Sequence, residues 1–106
     1  MKNTELLIVL FNLKKGANVA DYEAFAKSVD SPAIRSLNSN RSFTILKGLH
    51  LFGSDEPSPY QYIEIMEVTN FEELASDMQQ SHIQNMLSKF MEFGEDPKLI
   101  VTQKVV

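Results

Sequence analysis

The side chains best suited to moving protons in this 106-residue chain are Glu64 and the two histidines, His50 and His82. Glu64 lies in the stretch YQYIEIMEV, Tyr60 to Val68. Read as a strand, this stretch puts Tyr60, Tyr62, Glu64, Met66 and Val68 on one face and Gln61, Ile63, Ile65 and Glu67 on the other. Apolar residues on both faces predict a central strand. Glu64 then has apolar neighbours on its own face, where desolvation disfavours a charged carboxylate unless it finds a partner. Two readings stand side by side: a strand-end glutamate reaching water, or the acid or base of a buried pocket. His82 is four residues from both Met78 and Met86 on one helical stripe, so it is either a hydrogen-bonded core imidazole or a proton carrier near neutral pH. If that stripe packs on the Glu64 face, Glu64 and His82 converge as a coupled pair. His50 ends the neighbouring strand region, and a bulge at Gly48 decides whether it joins Glu64 or faces solvent.

Other side chains could hold a substrate. Tyr22, on the inner face of the first helix, offers a phenol, and Tyr62 shares the strand face of Glu64; each is otherwise a core aromatic with a satisfied hydroxyl. Asn12, at the end of the first strand, is a possible donor to a carbonyl or enolate. Arg35 and Arg41 bracket the SNSN loop and could meet a polar substituent, although solvated loop cations are common. Met78 and Met86, with Met66 and Met91, offer soft side chains that fill irregular core space or line a site for a flat, apolar ligand. The sequence has no Gly-rich phosphate loop, dinucleotide fingerprint or nucleophile elbow. It has no H-E-x-x-H-type spacing either, so no metal and no cofactor is expected.

The elements that must position these groups follow from hydrophobic period and punctuation. Leu6 to Phe11 is an unbroken apolar run, predicted as a strand buried on both faces and ended by Lys14-Lys15-Gly16. Glu5 and the lack of a small-residue cleavage site set it apart from a signal peptide, and it is too short for a membrane span. Asn18, with Asp21 three residues on, caps a helix carrying Val19, Tyr22, Phe25, Ala26 and Val29 inward, which Asp30-Ser31-Pro32 should break. Ala33 to Leu37 could add one turn. Ser42 to Phe52 reads as a second strand, paired as a hairpin with the Glu64 strand across the turn-rich GSDEPSP. Asn70 and Glu73 cap one long helix with Phe71, Leu74, Ala75, Met78, His82, Met86 and Phe90 on its stripe. Gly94 should stop it, and Leu99 to Val106 should form the last strand.

The order β-α-β-β-α-β predicts a single ferredoxin-like α+β domain over residues 1–106, with a four-stranded antiparallel sheet and its first and third strands central. Two helices cover one face of such a sheet, yet Leu6 to Phe11 offers no polar face to water. A second copy packed sheet against sheet is therefore expected, giving a homodimer. The apolar fraction of 43% and charged fraction of 23% are those of an ordinary globular protein. A net charge of −4 without any basic cluster argues against nucleic acid or an anionic membrane as partner. The absence of cysteine removes disulfides and thiol chemistry and is compatible with a reducing cytoplasm.

The segments LLIVLFNLKKG, SPAIRSLNSNRSFTILKG and YQYIEIMEVTNFEEL resemble the RedY-like HapK group of the dimeric α/β-barrel superfamily, over nearly the whole chain. The resemblance implies service in prodigiosin-type pigment pathways, in the branch that makes the bipyrrole half. Fold alone does not choose the chemistry. One reading is a cofactor-free cyclase, isomerase, dehydratase or monooxygenase-like enzyme acting on a small aromatic, pyrrolic or polyketide-like intermediate. Glu64 or His82 would be its base, and Asn12 or a tyrosine its donor. The other is a non-catalytic helper that binds an intermediate or supports other enzymes of the same pathway.

Overall fold

The N-terminal apolar run forms strand β1 (Glu5–Leu13) of the computed structural model, which describes residues 4–106. Helix α1 (Val19–Phe25), a π-helical turn (Ala26–Asp30) and helix α2 (Ser31–Arg35) lead to strands β2 (Asn40–Lys47) and β3 (Tyr62–Val68). Helices α3 (Phe71–Asp77) and α4 (Ser81–Phe93) then lead to strand β4 (Gly94–Gln103). The sheet order is β2-β3-β1-β4, with every neighbouring pair antiparallel. This is the ferredoxin-like α+β arrangement, and the two strands with apolar residues on both faces are central as predicted.

The core lies on one face of the sheet. Val9 and Phe11 of β1 and Tyr62, Met66 and Val68 of β3 are buried with Tyr22, Phe25, Ile34, Leu74, Ile83, Met86 and Phe90 from the helical segments. Both helix starts are capped as expected: the Asn18 side chain accepts from the Asp21 amide at 3.0 Å and Asn70 from the Glu73 amide at 2.7 Å. On the opposite face, Leu6, Ile8, Leu10, Ile63 and Ile65 are half-buried. Leu46 and Ile100, which pair into that face, remain 43% and 44% exposed. No helix that is long and apolar enough to cross a membrane occurs among the described residues.

Four local expectations are corrected. Asp30-Ser31-Pro32 does not break the first helix; the chain widens into a π turn, with the Ser31 amide donating to the Ala26 carbonyl five residues back. Pro32 has no N–H, and in a continued α-helix its ring would press on the Ser28 carbonyl, so the wider turn relieves the clash and lets α2 restart with proline in its first turn. The second helix is not continuous: Met78 to Gln80 interrupt it, and Gln80 is extended at φ −61°, ψ 140° before α4 begins. Strand β2 ends at Lys47, and its irregularity falls between Asn40 and Ser42 rather than at Gly48. Gly94 opens β4 in an extended conformation, where a Cβ would stand 3.0 Å from the Phe90 ring; close approach, not a left-handed stop, calls for glycine there.

Gly48 holds the exit from β2. Its amide donates to the Gln61 carbonyl at 2.8 Å, and an added Cβ would fall on the Tyr60 carbonyl oxygen and the Ser58 side chain. Backbone cannot yield there as a flexible side chain can. Gly48→Ala should lower stability by about 2–4 kcal/mol in denaturant unfolding. A loss no greater than that of Gly53→Ala, in open space at φ +82°, would show that the β2 exit tolerates displacement.

Candidate functional site

Strand parity places Glu64 first. Tyr62, Glu64 and Met66 share the helix-facing side of β3, and Glu64 is only 7% exposed, directly between Val9 of β1 and Ile45 of β2. A slip of one residue would turn the whole buried set outward, so the carboxyl group is carried inward with its strand. Of the two readings of Glu64, burial is the one the structure adopts.

The partner it meets is Asp30, which is 3% exposed at the end of the π turn. Regular helical spacing from Tyr22, Phe25 and Ala26 would turn Val29 inward. The extra residue of the π turn instead leaves Val29 at the surface and brings Asp30 to the core. Asp30 Oδ2 is buried with no fixed donor. A proton shared with the Glu64 carboxyl would supply the donor that this oxygen lacks. Burial raises Glu64 to about 8, with the Asp30 charge adding to the effect. Burial likewise raises Asp30 to about 6, opposed by the hydrogen bond from Glu64. Two like charges in one apolar site cannot both ionise at low cost, so near neutral pH the pair carries one proton.

Tyr22 touches the same group, its hydroxyl donating to Glu64 Oε2 at 3.4 Å. Desolvation first, and the nearby carboxylates second, raise its pKa far above the usual range for tyrosine, so the phenol keeps its proton. An aromatic cluster fixes the ring: Phe11 lies edge-on at 5.5 Å, Tyr62 at 4.6 Å and Phe93 at 5.8 Å. Tyr62 in turn donates to Glu23 Oε2 at 2.7 Å, and Lys47 Nζ stands 3.1 Å from the same oxygen. These two bonds hold the Glu23 carboxyl below its ordinary range, that from Tyr62 counting most.

Two spaces flank the Tyr22–Glu64 contact, Tyr22 lining the outer one and Glu64 the inner one. An inner cavity of about 70 Å³ is lined by Asp30, Glu64 and apolar side chains that include Met66, Met78, Met86 and Phe43. An outer cleft of about 420 Å³ lies between the first helical segment and the β2–β3 edge, with Tyr22, Tyr62, Ile45, Glu23, Lys27, Lys47 and Arg35 on its walls. Its size suits a small organic ligand. No group of three or more His, Asp or Glu placed to hold a metal ion occurs among the described residues.

The expected constellation is therefore gathered in part. Glu64, Tyr22, Tyr62, Met78, Met86 and Arg35 line these two spaces. His82 does not: the break at Met78 to Gln80 rotates α4 so that Ile83, Met86 and Phe90 face inward and His82 is exposed. His50 is on the loop beyond β2, exposed, with Nδ1 3.0 Å from the Leu51 carbonyl oxygen. Asn12 ties strand ends together, accepting from the Gln61 amide at 2.8 Å and donating to the Pro59 carbonyl at 3.2 Å. Asp30 was missed because its inward turn depends on a π turn; the only local signal is an acid two residues before a proline.

The pair also sets a pH dependence of folding. Both carboxyl groups hold their protons more tightly folded than unfolded, so their contribution to stability is full below about pH 4 and is lost as pH rises through about 6 and 8. The melting temperature should fall between pH 5 and pH 9, by a loss on the order of a few kcal/mol. Glu64→Gln should flatten most of that slope, and an unchanged slope in the variant would mean that the two groups do not share a desolvated site.

With this geometry in place, comparisons with known proteins give the lineage. HapK from Hahella chejuensis superposes with a TM-score of 0.71 at 22% identity, over 95% of this chain and 92% of that one. SnoaB, a cofactor-independent oxygenase from Streptomyces nogalater, gives a TM-score of 0.75 at 10% identity, over 99% and 96%. A dimeric protein of unknown function and ferredoxin-like fold from Bacteroides fragilis gives 0.68 at 15% identity, over 97% and 98%. At these identities the superpositions speak for the fold. No protein of curated function matches the sequence significantly. The family model for REDY-like protein HapK matches residues 5–105, and the chain belongs to that family.

Proposed function

We propose that this protein is a cofactor-free acid–base catalyst acting on a flat, conjugated intermediate of pyrrolic or polyketide type, in the bipyrrole branch of a prodigiosin-type pigment pathway. The observation that carries the reading is the pair of carboxyl groups, Glu64 and Asp30, buried together with the Tyr22 hydroxyl on one of them. A pair with one proton holds both a base and an acid at neutral pH. The ionised member takes a proton from a carbon next to a carbonyl, and Tyr22 donates to the developing enolate oxygen. The protonated member returns a proton to the product or to a departing hydroxyl, which leaves the pair with one proton again. Enolisation, cyclisation and dehydration all need this exchange. The cofactor-independent oxygenase SnoaB shares the fold, which agrees with chemistry done by side chains alone.

A second reading, a non-catalytic helper of neighbouring enzymes, has one observation in its favour. The loop between β2 and β3 presents Leu49 and Phe52 almost bare to solvent, with Leu51 partly exposed. Turnover separates the two. Glu64→Gln and Asp30→Asn should each cut pathway turnover by roughly 10²–10⁴-fold while leaving a folded protein, and His82→Ala should leave it nearly unchanged. If both carboxamide variants fold and still support wild-type pigment formation, the helper reading takes over.

The assembly proposed is a homodimer with the helix-free sheet faces in contact. Leu6, Ile8, Leu10, Ile63 and Ile65 supply an apolar face with no covering element among the described residues, and the Bacteroides fragilis neighbour is described as dimeric. Light scattering at micromolar concentration should give twice the 12.0 kDa mass of one chain; the mass of a single chain would sink this assembly.

A further inference from the structure

The outer cleft carries a charge pattern that the carboxyl pair does not need. Its walls hold three cations, Lys27, Arg35 and Lys47, against one carboxylate, Glu23, in a chain of net charge −4. Lys47 is paired with Glu23 at 3.1 Å. Neither Lys27 nor Arg35 has an acidic partner within ion-pair distance among the described residues. Arg35 is nonetheless positioned, one terminal nitrogen donating to the Phe43 carbonyl at 3.0 Å, which orients the guanidinium plane and leaves its other N–H groups free. Beside these cations the cleft wall includes Tyr22, Ala26, Ile45 and Tyr62, whose two tyrosine rings are tilted 56° to each other.

We infer that this cleft binds the ionised carboxylate of a flat, conjugated substrate, with Lys27 and Arg35 on the acid group and the ring system against Tyr22 and Tyr62. The inference rests on the reading of Glu64 and Asp30 as the reacting centre, to which it adds the substrate class. A carboxylate suits the cleft better than a phosphate: the walls come from α1, the π turn, α2 and two strands, without a glycine-rich turn of amides to surround three oxygens. A planar guanidinium matches a planar carboxylate, and two unpaired cations exceed what one such anion needs. Binding at this end would hold the opposite end of a rigid substrate against Tyr22, whose hydroxyl contacts Glu64.

The test is a binding comparison with 2-naphthoate and its neutral counterpart 2-naphthamide, by titration calorimetry at low salt. Naphthoate should bind roughly tenfold more tightly, and the preference should shrink as salt screens the exposed cations. Lys27→Gln should erode the preference, Lys27→Gln with Arg35→Gln should remove it, and Arg35→Lys should keep part of it. Lys27 is exposed, so its variant remains informative even where loss of the Arg35 bond to Phe43 weakens the fold. Equal binding of the two probes, no binding of naphthoate at millimolar concentration, or a preference that survives Lys27→Gln at full size would overturn the inference. The ratio is read without turnover, so a failure of anion binding in the cleft and a failure of the carboxyl pair as catalyst are told apart.

Discussion

Two carboxyl groups shut away from water in one apolar space cannot both be charged, and much of this molecule follows from that constraint. A lone glutamate between Val9 and Ile45 on a central strand would be a costly thing to bury. Asp30 does not cancel that cost; it adds a like charge, and the pair settles by keeping a proton. The surroundings then fall into place around a half-ionised dyad. Tyr22 is held protonated as a donor by the aromatic packing of Phe11, Tyr62 and Phe93. The methionine-lined inner cavity surrounds the two acids with apolar side chains. Glu23, on the wall of the outer cleft, is treated in the opposite way: with Tyr62 and Lys47 as partners it stays ionised. Neighbouring acids thus receive opposite protonation states from their settings alone.

The positions that could be read from the sequence are those governed by strand parity and by capping. Alternation in YIEIMEV sufficed to place Glu64 beside Tyr62 and Met66, and the strands buried on both faces were correctly made central. Asn18 and Asn70 announced their helices through short-range hydrogen bonds that any chain of this local composition can form. What failed was the propagation of helical phase. Each prediction of an inward side chain beyond the first two turns assumed an unbroken rotation of about 100° per residue. A π turn at Ala26 to Asp30 and an interruption at Met78 to Gln80 each spoil that count. Val29 and Asp30 therefore exchange roles, as do His82 and Ile83. Met86 survives because it lies within the inward arc under either phase.

The strand ends taught the same lesson in another form. The apolar residues Leu49, Leu51 and Phe52 read as a continuation of β2, yet hydrogen bonding to β3 stops at Gly48, where Tyr60 and Ser58 crowd the chain. Hydrophobicity marked a surface there, not a strand. The helix-free face of the sheet was read more securely, because six consecutive apolar residues in β1 leave no polar side under any register.

The dependence of Asp30 on Pro32 reaches beyond this one chain. The proline does not line the inner cavity, yet its missing N–H and its ring favour the widened turn that carries the acid inward. Inheritance of the second acid is therefore not inheritance of its position. A relative can keep both carboxylates in an alignment and lose the dyad through one change two residues downstream, the helix simply rewinding with valine in place of aspartate. Assigning chemistry across such relatives means following the proline as closely as the acids.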